Sequence, residues 1–287
     1  MNKLILCIAA VALAGLLSAC SPLSLVNAVS PAGSVQASSA IRYGSDARNM
    51  LDVYRPVAGL ENAPVIVFFF GGNWVSGKRE DYAFVGRALA ARGFVVVVPD
   101  YRLYPQVRYP DFLLDGAGAV AWTVREIARY GGDPQHIFLM GHSAGAYNAA
   151  MLALDPRWLG KEGLDPKLLR GWIGLAGPYD FLPVTNRTTQ PVFNAPDTPP
   201  DSQPVNHVSA SAPPALLIAA NKDSVVNPAR NTGGMAAKLR AYHVPVRELY
   251  VDGVGHATLV ASLSNSLKGL APTLDAVERF VRSDGDN

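Results

Sequence analysis

Five short apolar runs set the rhythm of this chain, at residues 65–70, 94–99, 137–140, 172–175 and 215–219. Each is too short for a stable helix and lacks polar alternation, so each reads as a strand buried on both faces. The second run contains four consecutive valines, Val95 to Val98, as a central parallel strand would. Between the runs lie stretches of helical periodicity at 81–92, 111–130, 144–154 and 228–242, and a last helix or pair of helices at 256–282. Residues 51–53 supply a leading edge strand and residues 246–251 a late one. Strand alternating with helix predicts an α/β fold, a doubly wound and mostly parallel sheet with helices on both faces. Residues 178–214 break the rhythm, with proline at 178, 183, 191, 196, 199, 200, 204, 213 and 214. They predict a short irregular insertion at the strand ends where ligands bind, acting as a lid.

The ends of the chain differ from this middle. Lys3 followed by the apolar stretch 4–17 and by Leu17-Ser18-Ala19-Cys20 reads as a secretory signal over residues 1–19. Fourteen apolar residues are too few to span a bilayer comfortably. Leu-Ser-Ala-Cys resembles a bacterial lipobox, which implies Cys20 as the first mature residue and the attachment point of lipid. That places the protein outside the cytoplasm on a bacterial membrane, the outer one being favoured by Ser21 in place of aspartate. The other reading is an ordinary signal cut near Ala19 with a chance cysteine. Cys7 leaves with the signal, so the mature chain has no thiol chemistry and no disulfide. Residues 20–40 carry no charge and no periodicity and read as a flexible tether, leaving 41–287 as the catalytic domain. The net charge of +2 is spread without a basic run, so nucleic acid is not indicated. No internal repeat is visible.

Candidate chemistry begins at Gly141-His142-Ser143-Ala144-Gly145. An apolar strand precedes it and a helix follows, the context in which G-x-S-x-G becomes a nucleophile elbow. A serine hydroxyl needs an imidazole to take its proton and a carboxylate to fix that imidazole's tautomer. In a fold of this kind the order along the chain is Ser, acid, His. Asp223 stands just past the 215–219 strand, and His256 follows Asp252-Gly253-Val254-Gly255 after the 246–251 strand. Of the other histidines, His142 should point away from the site, His136 lies at the far end of a strand, His207 falls in the proline-rich insertion and His243 closes a helix. Asp252 reads as a turn residue and Asp100 as a backbone hydrogen-bonder near the elbow. Oxyanion donors are expected from the Ala144 amide and from the loop Phe70-Gly71-Gly72-Asn73-Trp74. Phe70, Trp74, Tyr101 and Tyr104 either line the acyl or alcohol pocket or belong to the core.

Gly-Gly-Asn-Trp, Asp100-Tyr101-Arg102-Leu103-x-Pro105, Tyr109-Pro110, Gly-His-Ser-Ala-Gly, Ala176-Gly177-Pro178-Tyr179-Asp180 and Gly255-His256 together resemble the α/β-hydrolase superfamily. More narrowly they resemble the esterases related to hormone-sensitive lipase and to arylformamidases, over residues 41–280. The resemblance implies that Gly72 and Asn73 join Ala144 in the oxyanion hole. Phe70 departs from it by replacing the histidine that opens the loop, which puts the loop's rigidity in question. Asn73 replaces a third glycine, and Ala220 the glycine common before the acid. The expected reaction is hydrolysis of carboxylic esters, of short acyl chains given a short insertion and no large helical cap, through an acyl-enzyme on Ser143. Arylformamide, sugar-acetyl and feruloyl-ester hydrolysis use the same three groups, and a catalytically silent binding module is the reading outside enzymes. No metal or nucleotide cofactor is called for: no cluster has ligand spacing and no G-x-G-x-x-G opens a helix.

Overall fold

The computed structural model describes residues 22–31 and 33–285. Signal, cleavage site and Cys20 therefore lie outside the described residues. Eight strands form one sheet: β1 (Val35–Arg42), β2 (Met50–Pro56), β3 (Ala63–Phe69), β4 (Val95–Pro99), β5 (Gly132–His142), β6 (Leu169–Leu175), β7 (Ala215–Ala220) and β8 (Val246–Val251). Their order is β1-β2-β4-β3-β5-β6-β7-β8. Only the β1–β2 and β2–β4 pairs are antiparallel, so β2 alone runs against the rest. The valine run is fully buried in β4, as a strand covered on both faces must be.

Helices α2 (Ala83–Ala90), α3 (Asp111–Glu126), α4 (Ala144–Leu154), α5 (Pro156–Gly160), α6 (Gly234–Ala241), α7 (His256–Ala261) and α8 (Thr273–Arg282) cover the sheet. All eleven residues of α4 are buried, which suits its alanine-rich sequence to the centre of the molecule. By contrast, α8 buries Leu274, Val277, Phe280 and Val281 along one stripe and leaves Asp275 and Arg279 in solvent. Among the described residues no helix is long and apolar enough to cross a membrane.

The amino-terminal region departs from the expected tether. Residues Pro22–Ala28 form a helix, α1, and Val35–Arg42 form the true edge strand β1, paired with β2. The expected leading strand at 51–53 is thus second from the edge. Asn27 anchors α1: its side-chain amide donates to the Glu80 and Asp81 carbonyls at 2.8 and 2.9 Å and accepts from the Phe84 amide at 2.8 Å. A chain held by three bonds from one side chain is docked, not dangling.

The proline-rich insertion is irregular, as expected, but well anchored. Val192, Phe193 and Ser202 are fully buried within it. The Tyr147 hydroxyl donates to the Ser202 carbonyl at 2.7 Å, and the Gln203 side chain accepts the Phe181 amide at 2.7 Å.

Candidate active site

The nucleophile loop is shaped by what its glycines lack. A Cβ on Gly141 would lie 2.1 Å from the Gly145 carbonyl oxygen, and one on Gly145 would lie 2.0 Å from that of Phe69. Strand β3, β5 and helix α4 can therefore converge only with hydrogen at both positions. Ser143 between them takes φ 54° and ψ −122°, a conformation non-glycine residues rarely adopt. Its amide donates to the Leu175 carbonyl at 2.9 Å, and its carbonyl accepts the Ala146 and Tyr147 amides that start α4. The hydroxyl consequently stands over the helix amino-terminus, where partial positive charge collects.

Two loops bring the remaining partners. Asp223 follows β7, and its Oδ1 accepts the Val225 and Val226 amides at 2.8 and 3.0 Å, which fixes the carboxylate. His256 opens α7 after Gly253, whose φ of 77° makes the turn off β8. Its Nδ1–H donates to Asp223 Oδ2 at 2.7 Å, and its Nε2 accepts from the Ser143 hydroxyl at 2.8 Å. The Asp223 side chain is 1 % exposed. Burial pushes its carboxyl up, but the bonds from His256 and the two amides outweigh that and hold it below the ordinary carboxylate range. An ionised acid, an imidazole with one defined tautomer and a serine proton aimed at the free nitrogen can activate a nucleophile.

His142 does not point away from this group. Its ring lies 4.9 Å from that of His256, and its Nε2–H donates to the His256 carbonyl at 3.0 Å. Burial, with His256 beside it, pushes the imidazole down to about 3, so it is a neutral strut under the loop that carries His256. Asp252 caps a turn by accepting from the Asn221 side chain, and Asp100 accepts the Arg79 amide at 2.8 Å in the loop after β3.

Asn73 and Ala144 border a cleft of about 130 Å³ together with Ser143 and Trp74. Its other walls are Pro178, Phe181, Val184 and Thr189 from the insertion, and Val225 and Val226 beside the acid. Gly72 is set just behind: its carbonyl accepts the Val75 and Ser76 amides, and a Cβ there would meet the Ser76 carbonyl oxygen at 2.1 Å. Asn73 and Trp74 both have positive φ, 54° and 58°. Two side-chain features missed by sequence reasoning hold this strained turn. The Trp74 indole N–H donates to Asn148 of α4 at 3.0 Å, and the indole ring packs edge-on against Tyr147 and Phe193. The available signal was Asn148 itself, the one amide side chain in an otherwise apolar helix.

Three of the four aromatic pocket candidates fall elsewhere. Phe70 and Tyr101 are fully buried and stack on each other with centroids 4.5 Å apart, and the Tyr101 hydroxyl donates to the Phe70 carbonyl at 2.7 Å. Phe70 therefore stiffens the loop in place of the absent histidine. Tyr104 lies under the Arg108 guanidinium, outside the cleft lining. Only Trp74 lines the cleft, joined by Phe181, which was not anticipated.

The family model BD-FAE matches residues 51–239, about two thirds of the chain and the span holding Ser143 and Asp223. This chain belongs to the BD-FAE family. The match ends before His256, so the place of that histidine in this BD-FAE chain rests on its own geometry. Esterase LipC of Mycobacterium tuberculosis is 32% identical over 238 residues, covering 75% of this chain and 58% of that protein. The chain thus spans little more than half the length of that relative. Two solved structures share its α/β-hydrolase fold. Thermogutta terrifontis esterase Est2, bound to butyrate, has a TM-score of 0.71 at 21% identity, covering 87% of this chain and 94% of that one. Esterase B from Lactobacillus rhamnosis has a TM-score of 0.74 at 18% identity over the whole of both chains.

Proposed function

We propose that this BD-FAE protein hydrolyses carboxylic esters through an acyl-enzyme on Ser143. The observation that carries this reading is the unbroken relay Asp223–His256–Ser143, at 2.7 and 2.8 Å. Ser143 Oγ attacks the ester carbonyl while His256 Nε2 takes its proton. Negative charge on the carbonyl oxygen meets the amide of Ala144 at the head of α4 and the amides of Gly72 and Asn73. His256 then returns the proton to the departing alkoxide, and the alcohol leaves. A water, deprotonated by the same nitrogen, attacks the acyl carbon, and the carboxylic acid departs as Ser143 regains its proton. Asp223 stays ionised throughout and stabilises the imidazolium.

The acyl group is short. A cleft of about 130 Å³ lined by Trp74, Phe181 and Val184 supports acetyl to butyryl over long chains. Lipidation at Cys20 and residence outside the cytoplasm on a bacterial membrane, the outer membrane being favoured, complete the proposal, supported by the order of positive, apolar and Leu-Ser-Ala-Cys segments at the start of the chain.

The test is hydrolysis of p-nitrophenyl acetate, butyrate and octanoate by the parent and by Ser143→Ala. Turnover should fall by about 10⁵–10⁶-fold in the variant with folding unchanged. The parent should prefer the two short esters. Parent-like turnover in Ser143→Ala would end the mechanism.

A further inference from the structure

The docked amino-terminal helix changes what an anchor on Cys20 would do. Leu23 and Val26 of α1 pack on the core, and Asn27 and Ser30 hydrogen-bond to the body. Yet Leu25 of α1 and Val29, the residue just after it, are also apolar and are 61% and 59% exposed. Exposed apolar side chains beside a segment already packed on the body call for a cover of their own. The patch continues onto the neighbouring loop. The Ser266 hydroxyl donates to the Val29 carbonyl at 2.6 Å, and the turn that follows ends at Leu270, 47% exposed, beside the exposed Lys268. Three of the eight large apolar side chains exposed among the described residues lie on α1, on the turn after it or on the loop that Ser266 ties to that turn, which singles out this region.

What covers it follows from the chain immediately upstream. No charged residue occurs between Lys3 and Arg42, and Cys20 stands two residues before α1 begins. Two extended residues reach about 7 Å at most. Acyl chains on Cys20 would therefore hold α1 at the headgroup level, because nothing long enough to act as a spacer lies between them. A lysine beside a leucine is well suited to that boundary, its charge reaching the headgroups while the leucine enters the acyl region.

We propose that Leu25, Val29 and Leu270 form a membrane-contact face, so that the catalytic body rests on a lipid bilayer in a fixed orientation. This rests on the lipidation of Cys20 proposed above. The mature chain has no second cysteine, so single probes can be placed cleanly. Full-length lipoprotein carrying Leu25→Cys, Leu270→Cys or, as control on the far side of the sheet beside β8, Tyr242→Cys is labelled with a nitrobenzoxadiazole dye. Each is reconstituted into phosphatidylethanolamine–phosphatidylglycerol vesicles with or without nitroxide-labelled lipid. Probes at 25 and 270 should be quenched by the nitroxide lipid and shielded from aqueous iodide, each about threefold or more relative to position 242. The unsubstituted chain should take up no dye, because lipid occupies its only thiol. Failure to float with vesicles, with dye on the unsubstituted chain, would refute lipidation and the contact face together. Flotation with positions 25 and 270 as open to iodide as 242 would refute the contact face and leave the anchor standing. Shielding from iodide without nitroxide quenching would mean a second copy covers the patch, and would also overturn the proposal.

Discussion

Two loops converge on Ser143, and they hold strained backbone by opposite means. The nucleophile elbow removes obstacles: hydrogen at Gly141 and Gly145 lets carbonyls approach where any Cβ would collide. The oxyanion loop adds restraints: Asn73 and Trp74 keep their side chains at positive φ, and Trp74 is fastened by Asn148 and a ring of aromatics. Strain at such positions costs on the order of 1–3 kcal/mol each and persists only when its surroundings dictate it. At the elbow the surroundings are backbone, whereas at the oxyanion loop they are side chains. The first should therefore break abruptly on substitution and the second by degrees.

The largest effect is expected at the elbow. Gly145→Ala forces a methyl into the Phe69 carbonyl, and the protein should lose about 3 kcal/mol or more of stability, or fail to fold, as urea denaturation would show. Next comes Trp74→Phe, which keeps the ring but leaves the Asn148 carbonyl oxygen buried without its donor. A stability loss of about 1–3 kcal/mol should accompany a fall in kcat of roughly tenfold, with KM less affected. Combining it with Asn148→Leu should cost less than the two single losses added, since the orphaned partner is gone.

A pH measurement separates the strut under His256 from both loops. In the unfolded chain the His142 imidazole takes up its proton near pH 6.5, whereas in the fold it resists down to about 3. Between those values the unfolded state binds the additional proton, so stability falls as the pH drops. Asp223, held below its ordinary value, acts in the same direction at lower pH, its contribution being lost as pH falls through its folded value. His142→Gln keeps an N–H donor and removes the titration. Its urea midpoint should decline less steeply between pH 6.5 and 3 than that of the parent. The smallest effect belongs to Asn73→Gly, which relaxes positive φ without touching a backbone donor. Stability should move by less than about 1 kcal/mol and kcat by no more than roughly threefold.

The same contrast explains what could be read from the amino acids. The parallel strands were visible because burial on both faces writes an unbroken apolar run, and β4 is little else than valine. Ser143 and Asp223 were visible because each sits just after such a run, and His256 because it follows a glycine-containing turn after the last strand, in the order the topology requires. Restraints made by side chains were less visible. An aromatic type does not reveal whether it stacks in the core, as Phe70 and Tyr101 do, or lines the cleft, as Trp74 does. The direction of His142 depended on where the loop of His256 would land. Helix α1, seven residues long, is too short to write a period, and β1 is an irregular edge strand with a shift in pairing between Ser38 and Ile41. Asn27, which fastens that region, reaches partners more than fifty residues away.

In the proposed reaction one hydroxyl, activated through one imidazole, forms the covalent intermediate. Intact-mass and peptide mapping after brief exposure to a fluorophosphonate tests it most directly. A single adduct on the Ser143 peptide is expected, absent in Ser143→Ala and formed at least a hundredfold more slowly in His256→Ala. An unlabelled Ser143 in active protein, or equal labelling rates with and without the imidazole at 256, would contradict the account.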